Sequence, residues 1–228
     1  MNTRPFPSGP RQYFIDGLND VSLFELKRMR KLLLACWLTL ILAGICSFFW
    51  YNEWKYNLPT PVPQNYSNVK LGSHINLEGK IEATDKPILI HFFNPDCPCS
   101  RFNIPHFKSL VKKYSNQMNF AVVVINKTTH YTAAEIKEKY DLNVPVTCDT
   151  TIAATCGVYS TPQAVILDAS SNLYYRGNYN RSRYCTDKSS EFAQMAIDSL
   201  LNNNTRPLFS QSALKAYGCQ VTEGYCKK

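Results

Sequence analysis

Residues 32–50 read LLLACWLTLILAGICSFFW, nineteen positions without a charge. At about 1.5 Å per residue this is about 28 Å of helix, close to the ~30 Å hydrocarbon core of a bilayer. A shorter apolar run, PILIHFF at residues 87–93, suits a strand buried on both faces. Asn94-Pro95-Asp96 breaks that run. Beyond Cys97 and Pro98, the apolar residues Phe102, Ile104, Phe107, Leu110 and Val111 recur at helical spacing. Residues 118–126 (MNFAVVVIN) predict a second buried strand and residues 132–140 a second helix. Two more strands are expected at 163–168 and 173–177, joined at residues 169–172. Residues 187–203 predict an amphipathic helix with Phe192, Met195, Ala196, Leu200 and Leu201 inward. The order is βαβα…ββα, a mixed α/β domain preceded by an apolar helix.

Flanking charges orient the long run. Lys27, Arg28, Arg30 and Lys31 crowd its amino-terminal side, whereas Glu53 and Lys55 nearly cancel on the other. The excess of positive charge predicts a cytoplasmic amino-terminal segment and an extracytoplasmic remainder, with Trp50, Tyr51 and Trp54 at the outer interface. A cleaved signal peptide is the alternative, but its apolar part should be ~7–15 residues and end in small side chains. Three prolines in five positions (59–63) make residues 52–68 read as a stiff spacer. The expected layout is a cytoplasmic segment (1–31), a transmembrane helix (32–51), a Pro-rich spacer (52–68) and a folded domain with a cysteine-containing tail (69–228).

With 45% apolar and 18% charged residues, the 228-residue chain can build a core and is not disordered throughout. Beyond the cluster that flanks the apolar run, its net charge of +8 is scattered, which argues against a nucleic-acid partner. Of nine cysteines, Cys36 and Cys46 lie in the apolar helix and seven lie beyond it. Seven sulfurs cannot all pair within one chain, so at least one is expected to be a thiol or a metal ligand.

Cys97 has the most informative position. Proline is favoured at the first residue of a helix, where the missing N–H has no intrahelical partner anyway, so Pro98 places Cys97 where a buried strand feeds a helix. Amides at a helix amino terminus favour a negative sulfur and lower the thiol pKa. Only the thiolate attacks disulfides, and Arg101, one turn on, adds positive potential. Cys97 is therefore the expected nucleophile. A direct Cys97–Cys99 bond is geometrically poor, because residues two apart on a helix point ~200° from each other and a disulfide wants β-carbons near ~3.8 Å.

Several of these segments together resemble the membrane-anchored thioredoxin-like redoxins of bacteria, over about residues 70–220. The matching pieces are FFNPDCPCS (92–100), Pro105 within the following helix, GVYSTP (157–162) leading into AVILD (164–168), and Tyr175-Arg176-Gly177. In particular they resemble a branch with a Cys-Pro-x-Ser centre, a Tyr-x-Gly turn and a late Gly-Cys, here Gly218-Cys219. The resemblance implies a thioredoxin-like fold, a central mixed sheet flanked by helices, behind an amino-terminal transmembrane helix. It also implies a cis bond before Pro162, beside the reactive sulfur. Counting back from Pro105, the family's usual second cysteine is replaced by Ser100, and Cys99 is an additional thiol. A distant sulfur is then expected to resolve Cys97. Cys219 is the first candidate because the branch carries a cysteine there, and Cys156 is the next.

The other sulfurs stay open at this level. Cys148 and Cys156 flank a short helical stretch and suit either a structural disulfide or a redox role, and Cys185 could staple the tail through Cys226 or Cys219. His91 stands six residues before Cys97, where thioredoxins place a buried acid that moves a proton during resolution. A neutral imidazole could do that, and the competing reading is a strand histidine bonded to a neighbouring carbonyl.

The expected function is thiol–disulfide exchange with protein thiols or disulfides in the periplasm, by a protein held to the inner membrane by its helix, with no cofactor and no metal. Three rivals remain. One is a non-catalytic redoxin-like binding module, and another is copper delivery through soft sulfur ligands. Peroxide reduction is the third, although Asn94 and Ile90 occupy the positions where peroxiredoxins need Thr or Ser and Pro.

Overall fold

A computed structural model describes residues 10–82, 85–125, 131–204 and 207–221. It divides into two units, Met1–Trp54 and Lys55–Lys228. Helix α1 (Pro10–Asn57) holds a 30-residue stretch, Glu25–Trp54, whose most apolar 18 residues have a mean hydropathy of 2.4 and are not buried against protein among the described residues. Its length and composition suit a membrane span or a signal sequence. The helix runs on past both ends of the uncharged stretch seen in the sequence.

The second unit is built on strand β1 (Ile88–Phe93), helix α2 (Pro98–Tyr114), β2 (Asn119–Val124), α3 (Ala133–Lys139), β3 (Val146–Thr147) and α4 (Thr151–Cys156). The chain continues through β4 (Ser160–Thr161), β5 (Gln163–Leu167), β6 (Leu173–Gly177), α5 (Phe192–Leu201), α6 (Gln211–Leu214) and β7 (Cys219–Gln220). Five strands form one sheet in the order β3-β2-β1-β5-β6. β1, β2 and β3 run parallel to one another, whereas β5 lies antiparallel to β1 and β6 antiparallel to β5. A central parallel βαβ unit, extended by an antiparallel pair that follows a cis-proline, is the thioredoxin-like arrangement.

Side-chain alternation divides the core between the two sheet faces. Leu89 and Phe93 of β1, Phe120, Val122 and Val124 of β2 and Ala164 and Ile166 of β5 pack with Phe107 and Leu110 of α2, Ile136 of α3, and Phe192 and Ala196 of α5. Ile90 and Phe92, Val123, and Val165 and Leu167 point the other way, onto Ile152 and Ala153 of α4 and the preceding segment at Ile75. Both faces are covered, which is why β1 lacks the polar alternation of a half-exposed strand.

One expectation changes. The helix expected over 187–203 is instead a 3-10 turn (Lys188–Ser190) followed by α5. The Asp187 side chain accepts from the Ser189 N–H and starts the turn, and Glu191 at ψ 67° interrupts the helical path. The far end of the strand expected over 118–126 lies outside the described residues.

The segment expected as a spacer also makes contacts with the domain. Pro59 bridges to Tyr217, and the Thr60 N–H donates to the Ala216 carbonyl at 2.9 Å. The Thr60 hydroxyl shares a 2.7 Å hydrogen bond with Ser160 Oγ. Tyr66 donates to the Gly157 carbonyl, and Arg176 donates to the carbonyls of Val69 and Cys156 and to Asn68 Oδ1. Arg176 thereby ties this segment to α4. No period in the sequence announces these contacts, because each joins residues far apart in the chain.

Gly218 shows how tightly the tail is docked. It has φ +115°, and a β-carbon there would run into the Thr161 carbonyl oxygen. Gly218→Ala is therefore expected to weaken the β4–β7 pairing by ~2 kcal/mol. Thiol mapping in graded glutathione buffers should show Cys219 reduced under milder conditions than in the unaltered chain.

Candidate functional site

The site forms where β1 meets α2. Cys97 is the N-cap of α2, extended at φ −89° and ψ 118°, with Pro98 opening the helix. Its N–H donates to the Asn94 carbonyl at 3.1 Å, and its own carbonyl accepts from the Arg101 N–H at 3.2 Å. Asn94 Oδ1 accepts from the Asp96 N–H, and the Asn94 N–H donates to Ser100 Oγ at 3.3 Å. Ser100 is fully buried. In the position where the family's second cysteine is expected, it fastens the turn that carries Cys97.

Cys97 is bonded to Cys219, 122 residues later, with 6.2 Å between their α-carbons. The sheet register makes this possible. β7 pairs antiparallel with β4, setting Cys219 opposite Thr161 and Gln220 opposite Ser160. The Thr161–Pro162 bond is cis, and Cys97 Sγ lies 3.8 Å from the Thr161 carbonyl oxygen. Three segments thus converge on one sulfur: the start of α2, the loop before Pro162, and the tail strand. Cys97 is 1% exposed, whereas Cys219 is half-buried.

The remaining sulfurs sort differently from the alternatives drawn from the sequence. Cys148 is disulfide-bonded, but Cys156 is a buried thiol, so the bridge considered between them does not form. Burial pushes the Cys156 thiol up to about 12, against weaker opposing effects of Arg176 and Lys80. That is a poor setting for a second resolving thiol. Cys185 is also a thiol, so it does not staple Cys219; Cys226 lies outside the described residues. Cys99 is fully buried and belongs to no disulfide.

His91 does not take the carbonyl partner considered for it. Its Nδ1 shares a 2.8 Å hydrogen bond with the Tyr179 hydroxyl, and its ring stacks on Phe107 at 4.7 Å. Nε2 is buried without a hydrogen-bond partner among the described residues. Burial, with a smaller contribution from His106, drives the imidazole pKa down to about 3 and keeps the ring neutral. Tyr179 has no motif around it in the sequence. Among the described residues, no group of three or more His, Cys, Asp or Glu side chains could hold a metal ion.

Residues 67–226 match the family DUF6436, described as a domain of unknown function. No curated protein matches the chain. Among solved structures, the chain is similar to a hypothetical protein from Sinorhizobium meliloti 1021, at 16% identity and a TM-score of 0.57, covering 68% of this chain and 96% of that one. It is also similar to an uncharacterized conserved protein from Geobacillus kaustophilus, at 19% identity and a TM-score of 0.57, covering 72% and 98%. A thioredoxin-like protein solved in its oxidized form matches at 18% identity and a TM-score of 0.43, over 64% of this chain and 98% of that one.

The buried imidazole makes stability depend on pH. The folded pKa of His91, about 3, lies below the unfolded value near 6.5. Between those values the unfolded chain holds the extra proton, so stability rises with pH across the window and falls as pH drops through it. The slope from this group is up to about 1.4 kcal/mol per pH unit. Urea unfolding at pH steps from 4 to 7.5 should show this dependence, and His91→Gln should flatten it.

Proposed function

The chain belongs to the DUF6436 family, and we propose that its thioredoxin-like domain is a thiol–disulfide oxidoreductase working through Cys97 and Cys219. The bond between these two sulfurs, at the amino terminus of α2 and beside cis-Pro162, carries this reading. The resemblance to redoxins with a Cys-Pro-x-Ser centre and a late Gly-Cys supports it. So do the first-turn amides of α2, which stabilise a negative charge on Cys97.

In the reduced form, the Cys97 thiolate attacks one sulfur of a partner's disulfide. The partner's S–S bond breaks, a Cys97–partner mixed disulfide forms, and the partner's other sulfur leaves as a thiolate. The Cys219 thiolate then attacks Cys97 Sγ, closing the Cys97–Cys219 bond and releasing the partner's second thiolate. The partner gains two electrons and two protons, and the domain loses them. The reverse sequence oxidises a partner dithiol. In that direction Cys97 is the better leaving group, because its negative charge is stabilised in place.

Ser100 and Asn94 hold Cys97 at the helix start, and Pro162 shapes the wall beside it. His91 acts as a positioning residue through Tyr179 and Phe107, since a neutral imidazole with a pKa of about 3 is a weak proton acceptor. The basic flank of α1 supports anchoring in a bacterial inner membrane with the domain on the periplasmic side, where partner disulfides persist. The copper reading lacks an assembled ligand set among the described residues.

Two variants test the reading. Cys97→Ser is expected to abolish exchange with a model disulfide substrate, a loss of a hundredfold or more. Cys219→Ser is expected to accumulate mixed disulfides on Cys97, visible as partner bands on non-reducing gels. Retained exchange in Cys97→Ser would discard the proposal. A Cys97–Cys219 bond that no dithiol reduces in the folded chain would make it a structural bond and support the non-catalytic alternative.

A further inference from the structure

Residues 216–219 lead the chain into the second sulfur of the site, and the carbonyl of each meets a donor on Thr60, Ser160 or Thr161. The Thr60 N–H donates to the Ala216 carbonyl at 2.9 Å, and the Thr60 hydroxyl to the Gly218 carbonyl at 3.3 Å. Ser160 Oγ lies 3.1 Å from the Tyr217 carbonyl and 3.3 Å from that of Cys219, which Thr161 Oγ1 also approaches at 3.4 Å. Thr60, Ser160 and Thr161 are all buried. Two of the three belong to β4, but Thr60 stands 100 residues earlier, in the segment whose prolines read as a spacer.

The protons of the two hydroxyls can be counted. Thr60 Oγ1 and Ser160 Oγ share a 2.7 Å hydrogen bond, and each oxygen carries one proton. If Thr60 donates to Ser160, the Ser160 proton goes to the Tyr217 or Cys219 carbonyl. If Ser160 donates, the Thr60 proton goes to the Gly218 carbonyl. In both arrangements the pair makes one bond within itself and one to the tail. Removing either hydroxyl leaves the other buried with a partner missing. The tail is also braced just upstream: the Tyr217 hydroxyl donates to the Asn180 carbonyl at 2.7 Å, and Asn178 Nδ2 to the Lys215 carbonyl at 2.8 Å. None of these bonds is made by the Cys97–Cys219 sulfurs, and Cys219 follows Tyr217 by two residues.

We propose that Thr60 is a positioning residue for the resolving step, holding the tail with Ser160 so that Cys219 stays beside Cys97 while the disulfide is open. This rests on the reading that the Cys97–Cys219 bond cycles. In that step Cys219 gives its thiol proton to solvent, and its thiolate attacks Cys97 Sγ of the mixed disulfide. The Cys97–Cys219 bond forms, the bond from Cys97 to the partner breaks, and the partner's sulfur leaves with the electron pair and takes up a proton. The partner disulfide is the only oxidant. Thr60 touches neither sulfur. Its N–H and hydroxyl act by limiting the volume that Cys219 explores, which raises its effective concentration at Cys97. The first attack, by Cys97 on the partner, does not use the tail, so the two steps respond differently to Thr60. A segment that only linked the domain to α1 would have no effect on closure.

The test uses the full chain, reduced and then mixed with oxidised glutathione. Samples are quenched in acid at intervals, denatured, blocked with N-ethylmaleimide and read by mass spectrometry, which separates the dithiol, the Cys97–glutathione mixed disulfide and the Cys97–Cys219 form. Thr60→Val keeps the N–H and the shape of the side chain but loses the hydroxyl. It should form the mixed disulfide at the rate of the unaltered chain and close it about fivefold to tenfold more slowly, the scale of one buried hydrogen bond. Thr60→Ser should restore closure. Closure at the unaltered rate in Thr60→Val, or no recovery in Thr60→Ser, refutes the positioning role and leaves exchange through Cys97 and Cys219 standing. Amide hydrogen exchange on the unaltered chain gives a second measurement that needs no variant to fold. The Thr60 N–H should stay protected after Cys97–Cys219 is reduced; exchange at the rate of an unstructured peptide would mean that the segment has left the tail when resolution occurs, and the proposal fails. If the unaltered chain never closes its mixed disulfide, the exchange reading falls with it.

Discussion

The pairing of a two-residue strand, β7, with the residues just before cis-Pro162 is the constraint on which the site depends. It sets Cys219 opposite Thr161, and the Thr161 carbonyl lies 3.8 Å from Cys97 Sγ. Without that register a cysteine 122 residues from the helix start would be one sulfur among many in a mobile tail. With it, the tail becomes part of the site. A strand this short contributes few hydrogen bonds of its own, so the contacts around it carry weight. The Thr60 hydroxyl bonds Ser160, Ser160 Oγ also donates to the Tyr217 carbonyl, and the Val221 N–H donates to the Tyr159 carbonyl. The segment leading from α1 into the domain therefore touches the strand that positions the second sulfur.

The same site shows how burial and charge divide labour among groups that look alike in sequence. Cys97 has the amides of a helix start beside it, whereas Cys156 sits in an apolar layer that penalises its thiolate. The difference is one of place rather than residue type. His91 follows the same rule in the opposite chemical sense: burial disfavours its charged form, so its value lies in the hydrogen bond to Tyr179 and the stack on Phe107. Asn103, Cys185 and Tyr217 form a polar cluster between α2, the loop after β6 and the tail, and the three elements are joined there by named bonds rather than by general packing.

Much of the fold was legible because its signals are local. The run at residues 87–93 and the helical spacing after Pro98 gave β1 and α2, and Thr132 with Glu135 closes a capping box at the start of α3. β3, β4 and β7 were not legible, since two residues cannot display a period. The 3-10 turn at Lys188–Ser190 was absorbed into a longer helix because its side chains continue the amphipathic pattern while Glu191 departs from helical backbone. The packing of Thr60, Tyr66 and Val69 on the domain was hidden behind a proline-rich composition that reads equally well as a free spacer.

From the sequence alone came the apolar helix, the mixed α/β order and the placement of Cys97 at the junction of strand and helix. Each follows from neighbours within a few residues, through side-chain period, proline geometry and helix-end electrostatics. Only the tertiary structure decided that Cys97 meets Cys219 rather than Cys156, that Cys148 leaves Cys156 a thiol, and that Cys185 turns toward Asn103 of α2. Those pairings depend on strand register and on how one loop bends, and both are set by contacts between segments that the linear pattern leaves unconnected.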